Sequence, residues 1–266
     1  GKTAAAVNLG HLAAGDGLRV LLWDLDPQAA ASYLLRIKPQ VKGGGKALVK
    51  GKREIDGAIK GTDFARLDLL PADFTYRNLD LVLGAAKRSA RRLGPLLAPM
   101  AGEYDLVILD CPPGISLLAE NVLHAAGTVL VPLIPATLSV RTLDQLTEFA
   151  AGLPGPRPEM LAFFSMIDRR KRLHREIAER LPRERPDLAA TAIPALSVIE
   201  RMSTERAPVT AFAPRSRAAR CYRDLWAEVC DRARLGRLLP AFAPFAGPAA
   251  PARSMLEKTR SQREAM

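Results

Sequence analysis

Two short runs of aliphatic residues each end abruptly in an aspartate. Arg19-Val20-Leu21-Leu22-Trp23 closes at Asp24, and Tyr104 to Leu109, apolar almost throughout, stops at Asp110. A strand without polar positions has no face to give to water and must be covered on both sides. Shorter runs of the same kind occupy Leu67–Leu70, Val129–Leu133, Leu161–Met166 and Thr191–Ile193. Helix-forming stretches lie between and around them: Thr3–Ala14, a basic one over Ala85–Leu97, Thr142–Ala150, Leu173–Leu181 and the closing Ser216–Arg234. Apolar strands alternating with helices predict an α/β fold, a mostly parallel sheet with helices on both faces. Ligands of such sheets bind beyond the carboxyl ends of the strands. Asp24 and Asp110 fall at such ends.

At 266 residues the chain is long enough for one large domain with a substantial core. Its boundaries are expected at residues 1–238. A Pro/Ala-rich linker and a charged tail are expected over 239–266, after Pro-Ala-Phe-Ala-Pro-Phe-Ala-Gly-Pro. Lys38–Gly61, rich in Gly and Lys with little periodicity, predicts a mobile, basic surface loop. No apolar stretch is long enough for a membrane-spanning helix, and no signal peptide is visible. Cys111, Cys221 and Cys230 lack metal-ligand spacing and read as reduced thiols of a cytoplasmic protein. His11, His124 and His174 form no metal set and read as ordinary helix or surface residues. The net charge of +11 points to a polyanionic partner, nucleic acid or an anionic membrane.

Three motifs converge on a phosphate-bearing ligand. Gly1-Lys2-Thr3 matches the end of the P-loop G-x-x-x-x-G-K-[ST] and stands before a helix, so the chain is expected to begin inside that motif, with its strand and upstream glycines missing. Free amides at a helix N-terminus hold phosphate oxygens, a lysine adds a point charge, and the threonine hydroxyl suits Mg²⁺. Asp24-Leu25-Asp26-Pro27-Gln28 puts two carboxylates and a chain-stopping proline at a strand end. Leu106–Asp110 has the Walker B pattern, and Cys111-Pro112-Pro113-Gly114 then turns the chain away.

Over roughly residues 1–235 the chain resembles the deviant-Walker ATPases typified by ParA and MinD, a P-loop class of the SIMIBI type. In those proteins the strand after the P-loop helix ends D-x-D-P-Q. Similar points are Tyr104-Asp105, Asp110-Cys111-Pro112-Pro113, Val131-Pro132, Met166-Ile167-Asp168-Arg169-Arg170, Ile193-Pro194 and Pro208-Val209, the later ones closer to ParA and Soj than to MinD. The resemblance implies ATP and Mg²⁺ as cofactors. It implies nucleotide contacts from Gly1, Lys2, Thr3, Asp110 and Pro194. Lys2 would touch the β- and γ-phosphates, Thr3 would hold Mg²⁺, and Asp110 would hold the metal through water. Asp26 would orient the attacking water, with Asp24 supporting it. The family's signature lysine, which crosses an ATP-sandwich dimer, would lie before Gly1.

The implied function is a dimerising switch that binds nucleoid DNA nonspecifically when ATP-bound and positions a chromosome, plasmid or protein assembly. A ParB-like or cargo-adaptor protein would activate it in the cytoplasm. Three arginine-rich clusters suit DNA phosphates: Lys87, Arg88, Arg91 and Arg92; Arg169, Arg170, Lys171, Arg172 and Arg175; and Arg215, Arg217, Arg220 and Arg223. The sequence departs from the family pattern at Ala4 for the usual Ser or Thr, at Ala195 and Val198 for arginines, and at Arg206 for glycine. The alternative is a MinD-like membrane-associated regulator. It needs a C-terminal amphipathic helix, and Pro240 and Pro244 break the one that Leu235–Leu239 begins, so a membrane partner is not expected. An iron–sulfur carrier of the same superfamily would need paired cysteines at its dimer seam, which this chain lacks.

Overall fold

The computed structural model describes residues 1–49, 55–85 and 89–235. They run α1 (Lys2–Gly15), β1 (Val20–Asp24), α2 (Ala30–Leu34), α3 (Gly44–Val49), β2 (Lys60–Gly61), β3 (Leu67–Leu70), α4 (Leu79–Gly84), α5 (Leu93–Leu97), β4 (Leu106–Asp110), α6 (Leu117–Ala125), β5 (Thr128–Leu133), α7 (Thr137–Gly152), β6 (Glu159–Ile167), α8 (Arg172–Glu184) and β7 (Leu188–Pro194). Three one-turn helices follow, α9 (Ser197–Glu200), α10 (Met202–Glu205) and α11 (Val209–Phe212), and then α12 (Arg217–Arg232).

The strands form two ladders, β2-β3-β1-β4 and β5-β6-β7. All pairings are parallel except that of the short edge strand β2 with β3. Alternation sorts each strand between two cores. Val20 and Leu22 enter the central cluster, whereas Leu21 and Trp23 enter a second on the opposite face. Leu161 and Phe163 join the central cluster, whereas Ala162 and Phe164 enter a third. Helix α1 is buried over Ala5–Ala14, because the central cluster surrounds it with residues of β1, β3, β6, β7 and α12. A helix apolar on nearly all sides is a core helix. Each large side chain it packs, such as Leu22 or Phe163, stabilises the fold by about 1.5–3 kcal/mol. Trp226 donates its indole N–H to Asp16 Oδ2 at 2.7 Å, fastening α12 to the end of α1.

Two expectations need correction. Lys38–Gly61 is not simply a loop: it holds α3, a 3-10 turn at Asp56–Ala58 and β2. Val41, Ile55 and Ala58 supply the apolar anchors, and the Val41 amide donates to Asp73 Oδ2 at 2.9 Å. Gly45 sits so close to Tyr76 that a β-carbon there would lie 2.5 Å from the ring, a role for glycine that composition alone mistakes for loop. Residues 50–54 lie outside the described residues. Nor is Ala85–Leu97 one basic helix. A 3-10 turn at Ser89–Arg91 precedes the short α5. Pro95 has no amide to donate and is accommodated in the first turn of α5, so no helix runs through it from Ala85. Lys87, Arg88 and the tail from residue 236 lie outside the described residues. Helix α6, capped by the Ser116 hydroxyl on the Ala119 amide, was not anticipated.

Candidate nucleotide site

The first turn of α1 opens the site. Its N-cap is Gly1, which brings no side-chain cap, so the leading amides of a buried helix have no intrahelical acceptor. A β-carbon on Gly1 would stand 2.5 Å from Ser165 Oγ and 3.6 Å from Pro132 Cβ, so β5 and β6 close tightly on the glycine. Lys2 is exposed beside it and Thr3 half-buried.

The β1–β4 register sets Asp24 opposite Asp110. Asp110 is 2% exposed, and its Oδ2 has no hydrogen-bond partner among the described residues. Burial pushes its carboxyl up to about 7, with Asp24 and Asp26 adding to the rise, while the hydrogen bond from Thr3 and the charge of Lys2 oppose it. A buried, unsatisfied carboxylate oxygen is costly. It is also a hard oxygen donor next to a hydroxyl, the ligand chemistry that suits Mg²⁺. With the free amides of α1 and Lys2 alongside, the residues fit a magnesium–nucleotide ligand.

Asp24 faces the other way. It is fully buried, and Oδ2 accepts from the Ser32 amide at 2.8 Å and the Ser32 hydroxyl at 2.7 Å. Its Oδ1 lies 3.3 Å from the Asp26 amide. Burial raises its pKa, against the pull of these donors. Ser32 Oγ in turn accepts from the Ala72 amide at 2.9 Å, tying α2 to the chain leaving β3. Both Asp24 oxygens are therefore turned into the turn's own framework and not toward the α1 amides. Asp26 is half-exposed, and its Oδ1 accepts from the Gln28 amide at 2.9 Å, so the side chain rigidifies the turn while remaining open on one side. The Leu25 amide donates to the Asp110 carbonyl at 2.9 Å, joining the two aspartate-bearing ends. Pro194 is buried at the end of β7, in register with Ile167.

Sequence reading missed Ser32 and Ser165. Nothing in their spacing marks them, since each acts through one contact. It also missed a buried polar chain behind α1. The Asn8 carboxamide oxygen accepts from the Thr210 amide and hydroxyl, and that hydroxyl lies 2.9 Å from His11 Nδ1. Burial pushes the His11 imidazole down to about 4.

The basic residues divide by neighbourhood. Arg91 donates to the Pro154 carbonyl and the Arg92 amide to Asn121 Oδ1, on the side of α6. Arg170 forks onto Asp168 and Arg172 reaches Glu176, while Arg169, Lys171 and Arg175 stand exposed with them. The charges of Arg169, Arg217 and Arg220 all reach the Cys221 thiol, which burial pushes up, so Arg169 is in electrostatic range of the start of α12.

A parallel sheet with a helix N-terminus and two aspartates gathered at its carboxyl edge defines a P-loop nucleotide hydrolase. Residues 1–153 match the AAA domain family. The chain is 34% identical over 186 residues to the chromosome partitioning protein ParA of Caulobacter vibrioides, covering 67% of this chain and 70% of that one. It is 30% identical to the sporulation initiation inhibitor protein Soj of Bacillus subtilis, covering 86% and 93%. Cobyrinic acid a,c-diamide synthase of Mycobacterium smegmatis, solved with ADP and magnesium, superposes with a TM-score of 0.73 at 26% identity, covering 91% and 94%. An ATP complex of a single-residue variant of Cyanothece McdA superposes at 0.76, covering 91% and 94%, and at 18% identity shares the fold alone. The chain belongs to the ParA family of partition ATPases.

Proposed function

We propose that this ATPase is a nucleotide-operated switch whose ATP-bound form pairs with a second copy and holds duplex DNA without regard to sequence. Hydrolysis, stimulated by a ParB-like or cargo-adaptor protein, releases it, so that a chromosome, plasmid or protein assembly is positioned on the nucleoid. In the site, Lys2 and the free amides of α1 hold phosphate oxygens. Thr3 and Asp110 would hold Mg²⁺, Asp110 through water, and Pro194 would border the nucleotide. Asp26 orients the attacking water, while Asp24 positions the turn through Ser32. Bound Mg²⁺ contributes neutralisation of the charge on the transferred phosphoryl group. Positioning and charge are what this chemistry needs from a protein.

The observation that supports the DNA reading is that Arg169, Arg217 and Arg220 are all exposed and all within electrostatic range of Cys221, although Arg169 is far from the other two in sequence. Pairing is supported by exposed apolar residues at or just beyond the carboxyl ends of the strands: Ile115, Ile134, Leu138, Met166 and Leu173. Relatives named for chromosome partitioning support the cargo reading. Duplex DNA binding is measured with ATP, ADP and no nucleotide across a salt series, with Lys2→Ala as control. The reading requires binding with ATP alone, steeply weakened by salt and lost in Lys2→Ala. Binding indifferent to nucleotide would sink it.

A further inference from the structure

A cavity of about 520 Å³ opens between the turn that follows Asp26 and Arg206, the C-cap of α10, and none of the described residues lining it belongs to α1. Ala29, Tyr33, Arg36, Ile37, Lys38 and Arg206 line it, and among the described residues no acidic one does. The volume lies within the range of small-molecule sites. Three features distinguish it from an accidental dent.

Its cations are poorly satisfied by the protein itself. The Arg206 guanidinium stacks 4.7 Å over the Tyr33 ring and donates Nε–H to the Tyr33 carbonyl at 3.0 Å. Its two terminal nitrogens, and the Lys38 ammonium, have no hydrogen-bond or ion-pair partner among the described residues. Arg36 reaches the Glu205 carbonyl at 2.9 Å and touches Asp63 only at 3.4 Å, an exposed pair of the kind that contributes little.

Its backbone is strained. Among the described residues six non-glycine positions have positive φ, and three of them line this cavity: Ala29 at 58°, Arg36 at 61° and Arg206 at 49°. An L side chain rarely adopts this conformation without steric strain. Strain of this sort persists where surroundings enforce it, and it collects at ligand clamps. Here it holds two guanidinium groups around one hollow.

Part of its lining is apolar. The stacked Tyr33–Arg206 pair, Ala29 and Ile37 offer a surface for a ring or short hydrocarbon body beneath the cationic rim.

We propose that this cavity binds a small anion with a flat or apolar body, a phosphate- or carboxylate-bearing metabolite, at a site separate from the triphosphate corner. Gln28 and Ala29 follow directly on Asp26-Pro27, so an occupant leans on the turn that carries Asp26 and changes the hydrolysis rate. That consequence, unlike the binding, rests on the function proposed above.

The test keeps ADP and Mg²⁺ saturating and titrates the protein with 1-anilinonaphthalene-8-sulfonate, an aromatic anion whose fluorescence reports binding. One saturable site per chain is expected, weakened about tenfold by Arg206→Gly and by Lys38→Ala, with ADP affinity unchanged. Glycine is the residue best suited to the φ at position 206, so Arg206→Gly removes the charge without disturbing the backbone. Displacement of the dye by AMP identifies a phosphate ligand, and displacement by phenylpyruvate a carboxylate. Equal dye affinity in all three proteins, no saturable dye binding while ADP is saturating, or displacement by neither competitor overturns the proposal. An Arg206-dependent dye site in a protein that hydrolyses no ATP would leave this site standing and overturn the function instead.

Discussion

The nucleotide corner and the arginine surface are built on different principles. At the corner, fully buried Asp24, Ser32 and the Asp26 turn fix one another through bonds of 2.7–3.3 Å. At the surface, Arg169, Lys171 and Arg217 stand exposed, and only Arg170 and Arg172 are tied to acids within their own segment. One region specifies geometry, the other only charge. Single changes at the corner should therefore act steeply and together, whereas changes at the surface should be graded and sensitive to salt. The largest expected effect is at Lys2. Lys2→Ala removes the point charge beside the α1 amides and should lower ATP hydrolysis by about 10²–10³-fold. A loss below tenfold in steady-state phosphate release would place the corner on the same footing as the surface.

Helix α1 carries a buried histidine. His11 is buried, edge-on to the Phe64 ring at 5.1 Å, and its pKa falls from 6.5 to about 4 because burial disfavours the imidazolium. Below pH 6.5 the unfolded chain takes up this proton while the folded chain refuses it until about pH 4. The stability that depends on neutral His11 is thus full above pH 6.5 and declines by on the order of 3 kcal/mol as pH falls toward 4. Asp110, raised to about 7, acts in the opposite sense, its folded form gaining relative stability as pH falls. The wild-type-minus-variant difference isolates the histidine. In His11→Gln, urea unfolding at about pH 7, 6 and 5 should show a stability difference that shifts toward the variant as pH drops. A difference independent of pH would break the assignment.

Ser32 gives the next, smaller effect and also marks where the sequence stops being readable. The apolar strands and their terminal aspartates made β1, β4 and the sheet legible, because chemistry and position coincide there. The direction of each carboxylate was not legible. Asp24 and Asp26 stand two residues apart in similar surroundings, and only the fold turns one to Ser32 and leaves the other half-open. Long-range partners such as Thr210 for His11 leave no local periodicity at all. Lys38–Gly61 misled for a related reason: its anchors Val41, Ile55 and Ala58 are scattered among glycines and lysines that set the average. Ser32→Ala leaves Asp24 Oδ2 with the amide alone and strips the Ala72 amide of its acceptor. It should cost about 1–3 kcal/mol, measured by denaturant unfolding, and lower kcat more than it raises KM. Ser32→Thr keeps the hydroxyl and should recover most of both losses.

The smallest expected effect per substitution lies on the other side of the comparison. Arg217 is exposed in the first turn of α12, with no hydrogen bond or ion pair assigned to its side chain among the described residues. Arg217→Ala should therefore leave folding and basal hydrolysis within experimental error. If Arg217 neutralises one DNA phosphate, its removal lowers the slope of log K against log salt by about 0.9 and weakens binding evenly across sequences. Arg169→Ala should do the same, and the double variant should lower the slope by the sum, because exposed charges that share no partner act independently. A double variant losing far more than the two singles would mean that the arginines work as a fixed constellation. The surface would then be specified as tightly as the corner, and the contrast between the two regions would fail.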